Sequence, residues 1–134
     1  MSKKQTAPSL INEKLPYSQV VIVGDHYYFS GVIPNIDKND PRFVEPVHIS
    51  KQTKQVFVKI KNLLKACNLS ANDIYSATVM LSGSMQSFST VNEIYSEFFT
   101  KHKVKIMPRR KAFAVAALPF NALIEIEFDA IKQK

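Results

Sequence analysis

Leu123, Ile124, Glu125, Ile126, Glu127, Phe128, Asp129, Ala130 and Ile131 alternate between apolar and acidic side chains almost without a break. A period of two is that of an extended strand, whose successive side chains point to opposite faces. Ile124, Ile126, Phe128 and Ala130 then share one face, and Leu123, Glu125, Glu127, Asp129 and Ile131 share the other. The first face is built to be buried and needs a second layer to cover it.

The period that supplies this layer appears upstream. From about Ile49, the residues Thr53, Val56, Phe57, Ile60, Leu63, Leu64 and Cys67 recur at i, i+3, i+4, i+7, which predicts an amphipathic helix with one buried face. Lys51, Lys54, Lys59, Lys61 and Lys65 occupy its outer side, and Asn68 follows where a left-handed C′ residue would end it. A second helix is predicted with Phe88, Val91, Asn92, Tyr95, Phe98 and Phe99 on one stripe and Ser84 as its N-cap. Asn92 is the one polar residue on that stripe.

β-branched and aromatic runs mark the remaining strands. Residues 19–23 and 27–29 flank Gly24, Asp25 and His26, which predicts a hairpin. Residues 74–81 are apolar on both faces near their end, as expected of a strand with neighbours on both sides. Residues 111–118 form a further strand, with Pro119, Phe120 and Asn121 turning into the last one. A long loop is expected around Pro34, Asn35, Asp37, Asn39, Asp40 and Pro41, and a basic loop over residues 101–108. The order is β-β-α-β-α-β-β, an α+β chain with two helices on one face of a mixed sheet. The opposite face is left uncovered, which favours self-association. Residues 1–14 are polar and expected to be partly flexible, and 15–134 form the folded domain.

The chain has 134 residues, 46% of them hydrophobic and 22% charged, the balance of an ordinary folded domain. A single cysteine, Cys67, excludes an internal disulfide framework and a cysteine-based zinc site. Gly24, Gly31 and Gly83 are too scattered to build a phosphate-binding loop. No apolar run approaches the ~20 residues of a membrane span, and no apolar region follows Met1, Ser2, Lys3 and Lys4, so a cytoplasmic location without a membrane partner is expected. The net charge of +7 points to anionic partners, nucleic acid or small acids among them.

Few residues offer chemistry. Cys67 lies on the buried helix stripe and reads as a small core residue. His26, His48 and His102 have no i, i+4 partner, so no metal site is expected. Arg109, Arg110 and Lys111 follow Pro108 at a strand mouth, where a guanidinium can hold a carboxylate or phosphate by two parallel hydrogen bonds. Glu125 could position or deprotonate a water. Spacing alone does not bring the arginine and the glutamate together. The basic run Lys101, Lys103, Lys105, Arg109, Arg110 and Lys111 could grip a phosphate backbone, but no aromatic stacking platform is interleaved with it.

Several ordered pieces resemble one family. Pro16, Tyr17, Ser18 and Gln19 look like a Gly-Pro-Tyr-Ser-Gln start, and Ser30, Gly31, Val32, Ile33 and Pro34 like a Ser-Gly-Gln-Ile-Pro segment. Gln52, Thr53, Lys54, Gln55 and Val56 open the long helix in the same way. Phe88, the run Val91, Asn92, Glu93, Ile94, Tyr95, and Phe98 with Phe99 are similar to the second helix. Pro108, Arg109 and Arg110 match a Pro-Ala-Arg signature. Val115 to Pro119 followed by Ile124 to Glu127 match the C-terminal block. Over residues 15–130 the chain resembles the RidA/YjgF family of reactive-intermediate imine deaminases, also labelled endoribonuclease L-PSP or translation inhibitor.

The resemblance implies a chorismate-mutase-like α+β fold, a homotrimer, and clefts between subunits. There, 2-imino or 2-enamino acids would be hydrolysed to 2-keto acids and ammonia without a cofactor. Arg110 would hold the substrate carboxylate, and Glu125 would position the attacking water with help from the carbonyl of Ala112. Tyr17, Gly31 and Asn92 would line the pocket, which gives Asn92 a reason to sit on an apolar stripe. The family's other label leaves an RNA-binding or RNA-cleaving reading open, as the net charge does, although no histidine pair is placed for acid–base cleavage. A non-catalytic trimer that binds small carboxylates is the third reading. Four positions depart from the family pattern: Leu15 for Gly, Val32 for Gln, and Arg109 and Lys111 for small residues on either side of Arg110.

Overall fold

The computed structural model describes residues 3–35, 39 and 48–133. Six strands form one mixed sheet: β1 (Lys4–Gln5), β2 (Val20–Val23), β3 (His26–Val32), β4 (Ile74–Ser82), β5 (Arg109–Val115) and β6 (Ile124–Ile131). Among the described residues two α-helices accompany them, α1 (Ile49–Ala66) and α2 (Phe88–Lys101). The sheet order is β1-β2-β3-β6-β4-β5, antiparallel throughout except for the β4–β5 pair. The expected α+β class and the placement of both helices on one face hold.

The β2–β3 hairpin turns at Gly24, whose φ of 61° lies in the left-handed region that glycine enters without steric cost. The face of β6 assigned by alternation is the core face. Ile124, Ile126, Phe128 and Ala130 are buried there, with Phe128 stacked on Phe29 of β3 at 4.3 Å between ring centroids. Every residue of the predicted α1 stripe is buried, and Phe57 meets Phe98 of α2 at 4.7 Å. Gln52 is buried on the same face and is satisfied there: its Oε1 accepts from the Leu123 N–H at 2.9 Å, which pins the start of β6 to α1.

Both helices end alike. Asn68, at φ 57°, is the C′ residue of α1, and Leu69 N–H donates back to the Leu64 carbonyl at 2.9 Å. Lys103, at φ 54°, plays the same part after α2, with Val104 N–H donating to Phe99 O at 3.1 Å.

Three sequence expectations are corrected. Ser84 is not the N-cap of α2: Ser87 holds that position, and Ser84 Oγ accepts from the Gln86 N–H in the preceding turn. β5 begins at Arg109 and stops at Val115, two residues before the expected start at 111 and three before the expected end at 118, so Arg110 lies within the strand. The sheet also has a sixth strand, Lys4–Gln5, paired with Val23 and Ile22. Of the expected long loop, Pro34, Asn35 and Asn39 are described, whereas residues 36–38 and 40–47 lie outside the described residues.

Candidate functional site

Arg110 stands on β5, an edge strand of the sheet, in register with Ala77 of β4, which is in turn opposite Phe128 of β6. Ala77 and Phe128 are buried under the helices, so strand alternation sends Arg110 to the helix face. There its Nη1 donates to Asn92 Oδ1 at 2.6 Å. The guanidinium carbon lies 4.7 Å from the ring centroid of Tyr95 and 5.3 Å from that of Phe88. Phe88, Asn92 and Tyr95 fall at i, i+4 and i+7 on α2, one above another on one face. A side chain with several free torsions is thus held by one charge-assisted hydrogen bond and two aromatic rings. A guanidinium carries five N–H donors, and one is used on Asn92, so a planar anion can still be met by two parallel bonds. Burial raises the Tyr95 hydroxyl above its ordinary pKa, with the Arg110 charge opposing that shift.

Ala112 lies two residues on, half-buried on the same side of β5 as Arg110 and in register with Val79. Asn92, Arg110 and Ala112 therefore form one group. Phe88 and Tyr95 belong with it. The sequence reading placed them only on the α2 stripe, although aromatics on either side of a stray asparagine were the available signal.

Glu125 belongs to the other face. It sits between Ile124 and Ile126, both buried against the helices, so its own side chain points away from them. Its carboxyl presses on Gly31 at the end of β3: a Cβ at position 31 would lie 2.7 Å from Glu125 Cδ and 2.8 Å from Oε2. The missing side chain at position 31 is what lets the carboxyl approach this closely. Burial is the larger cause raising the Glu125 carboxyl above its ordinary pKa, and the like charge of Glu127 adds to it.

Tyr17 is half exposed and lines a small hollow with Gln19, Ser30, Gly31 and Lys59. Its segment is tied down by Ser30, whose N–H donates to Gln19 O at 3.0 Å and whose Oγ donates to Ser18 O at 2.7 Å. Tyr17, Gly31 and Glu125 form the second group. The six residues singled out in the sequence thus fall into two sets, and within one chain the sheet separates Arg110 from Glu125.

The other candidates are accounted for by packing. Cys67 is buried, and burial raises its thiol pKa away from the reactive thiolate. His26 stacks on Tyr28 and lies 3.3 Å from the Tyr75 hydroxyl, and His102 Nδ1 is 2.7 Å from Phe98 O at the end of α2. Among the described residues, no helix is long and apolar enough to cross a membrane, and no group of three or more His, Cys, Asp or Glu side chains is arranged to hold a metal.

Fold and geometry together define an α+β protein with a clamped arginine on an edge strand and a half-buried carboxylate on the opposite sheet face. A family model described as Endoribonuclease L-PSP matches residues 7–132. The chain is 38% identical to a RutC family protein of Leuconostoc mesenteroides subsp. cremoris, covering 98% of this chain and 100% of that one. It is 35% identical to a 2-iminobutanoate/2-iminopropanoate deaminase of Bos taurus, over 94% of this chain and 85% of that one. Among solved structures, the YjgF gene product of E. coli superposes with a TM-score of 0.77 at 34% identity, covering 88% of this chain and 89% of that one. The chain belongs to this Endoribonuclease L-PSP family, also called RidA/YjgF.

Proposed function

We propose that the protein is a cofactor-free hydrolase of 2-imino and 2-enamino acids that yields 2-keto acids and ammonia. The site is proposed to lie between copies of a homotrimer, in the cytoplasm. The observation that carries this reading is the clamp on Arg110: a guanidinium fixed by Asn92 and two rings, with its remaining donors free for a carboxylate. The deaminase name carried by the bovine relative agrees with it.

Arg110 and Glu125 face opposite sides of their own sheet, so the reading requires a second copy. The Arg110 group of one copy would meet the Tyr17, Gly31 and Glu125 group of the next. Arg110 binds the substrate carboxylate and fixes the neighbouring imine carbon. That carbon is already electrophilic, so orientation supplies much of what hydrolysis needs. A water held by Glu125 and the Ala112 carbonyl gives a proton to the Glu125 carboxylate as its oxygen bonds to the imine carbon. The C=N π pair moves to the nitrogen, which takes one proton from solvent and a second from the Glu125 carboxyl; it leaves as ammonia when the C–N bond of the carbinolamine breaks, and the carbinolamine hydroxyl proton is lost to solvent as the C=O bond forms. The raised pKa of Glu125 suits a group that takes up a proton and later releases it.

An amino-acid oxidase that generates imino acids, with semicarbazide trapping what remains, tests the reading. The wild type is expected to lower trapping, and Arg110→Ala and Glu125→Gln are expected to lose that effect. If no imine from a panel of amino acids is consumed, the deaminase reading is wrong.

A further inference from the structure

Among the described residues no helix or strand covers the face of the sheet turned away from the helices, and its charges are sorted. Glu125, Glu127 and Asp129 run along β6, whereas Arg109 and Lys111 stand on β5 with Phe113 next to them. β4 lies between, so the rows read Asp129, Ser76, Arg109; then Glu127, Thr78, Lys111; then Glu125, Met80, Phe113. Acid and base in the first two rows are two strand spacings apart, roughly 10 Å. None of these five charged side chains forms an ion pair with another described residue.

The acidic column is also uncomfortable by itself. Burial raises both Glu125 and Asp129, and the charge of Glu127 raises each further. Arg109 and His26 pull Asp129 the other way without reaching it. Tyr28 and Tyr75 also face this column, and Tyr28 and Phe113 are each 42% exposed, large apolar surfaces beside unpaired charges. An apolar patch with complementary charges is the make-up of a protein interface. The three carboxylates of β6 outnumber the two cations that β5 places on this face, which disfavours a nucleic acid across that part of it.

We propose that Arg109 and Lys111 of one copy seat on Glu127 and Asp129 of the next, and that these ion pairs set the register in which Arg110 of one copy faces Glu125 of the other. The proposal rests on the site between copies proposed above and assigns a role to two residues that depart from the family pattern. The occupant is a second copy because the basic edge and the acidic column complement each other on the same face. Such a contact is head to tail, the kind that builds a ring when the rotation between copies closes.

Sedimentation velocity on the full chain tests the proposal. The double variant Arg109→Glu/Lys111→Glu is expected to raise the dissociation concentration at least tenfold, as is Glu127→Lys/Asp129→Lys, since close charge pairs across an interface couple by about that factor or more. Combining all four substitutions restores assembly to near wild type. A charge-reversed pair that assembles like wild type overturns the proposal, as does a four-fold variant that melts as a folded protein and does not recover. If a reversed variant fails to fold, Arg109→Ala/Lys111→Ser replaces it, with a weakening of several-fold expected and no change overturning the proposal. Raising salt from 0.05 to 0.5 M should weaken wild-type assembly about tenfold by screening, and insensitivity to salt overturns it. A wild type that stays monomeric refutes both this register and the site between copies. An assembled wild type without deaminase activity refutes only the activity.

Discussion

Replacing Gly31 with alanine is the most direct probe of Glu125. No positive φ is recorded at Gly31, so its backbone accepts an L side chain, and the whole perturbation is one methyl group aimed at the Glu125 carboxyl. The new Cβ would begin 2.7 Å from Glu125 Cδ, whereas carbon atoms rest near 3.5 Å or beyond. The carboxyl must retreat by about 0.8 Å, and it can, because it is the end of a flexible side chain and not backbone. The cost to the fold is therefore small, about 1 kcal/mol or less. The cost to catalysis is not small, since a displacement of about 1 Å in a reacting group reduces rates by as much as 100-fold. Gly31→Ala should lose 10- to 100-fold in kcat, about 1.4 to 2.7 kcal/mol of transition-state stabilisation, while its Tm moves by only a few degrees. The oxidase-coupled trapping assay reads the first quantity and a thermal melt the second. A variant that melts normally and turns over like wild type would show that the Glu125 carboxyl, in the place it occupies against Gly31, takes no part in the reaction.

Three further outcomes follow from particular contacts. Asn92→Ala removes the 2.6 Å bond to Arg110 but leaves both rings in place, so kcat/KM should fall about tenfold, consistent with the worth of a hydrogen bond to a charged group; an unchanged value would mean that the rings alone hold the guanidinium. Glu127→Gln removes a like charge that raises Glu125, so the Glu125 pKa falls, its carboxylate survives to lower pH, and the acid limb of the kcat/KM profile shifts to lower pH; a shift in the opposite sense contradicts Glu125 as the proton acceptor. Phe128→Ala empties a buried position stacked on Phe29 and should cost about 3–5 kcal/mol in urea unfolding, with a loss under 1 kcal/mol contradicting the packing.

The alternation at 123–131 and the helical stripe at 53–67 were legible because each is a long run in which a single period accounts for every residue. Lys4–Gln5 was not, because two residues carry no period and only the partner strand makes them extended. Sheet order is likewise absent from local pattern: β6, last in the chain, inserts between β3 and β4, and nothing in its own residues names those neighbours. Ser84 misled because a serine before a helix suits an N-cap and a turn equally. The candidate site shows the same limit. Glu125 could be assigned to a face from its alternation. Arg110 could not, because β5 was read as starting one residue after it, and its face follows only from pairing with Ala77.

That pairing also explains why an exposed arginine is so well held. On an edge strand a long cation ordinarily samples many rotamers, and ordering it on binding would cost part of the affinity it provides. Here α2 crosses the edge so that Phe88, Asn92 and Tyr95 meet Arg110 before any ligand arrives. The opposite half is prepared in the same way, by a glycine that lets a carboxyl lie against the backbone of β3. Each half is ordered in a single chain, but neither holds both an anion-binding group and a proton acceptor. Under the proposed function, chemistry that needs both is therefore coupled to assembly by the geometry of the sheet itself.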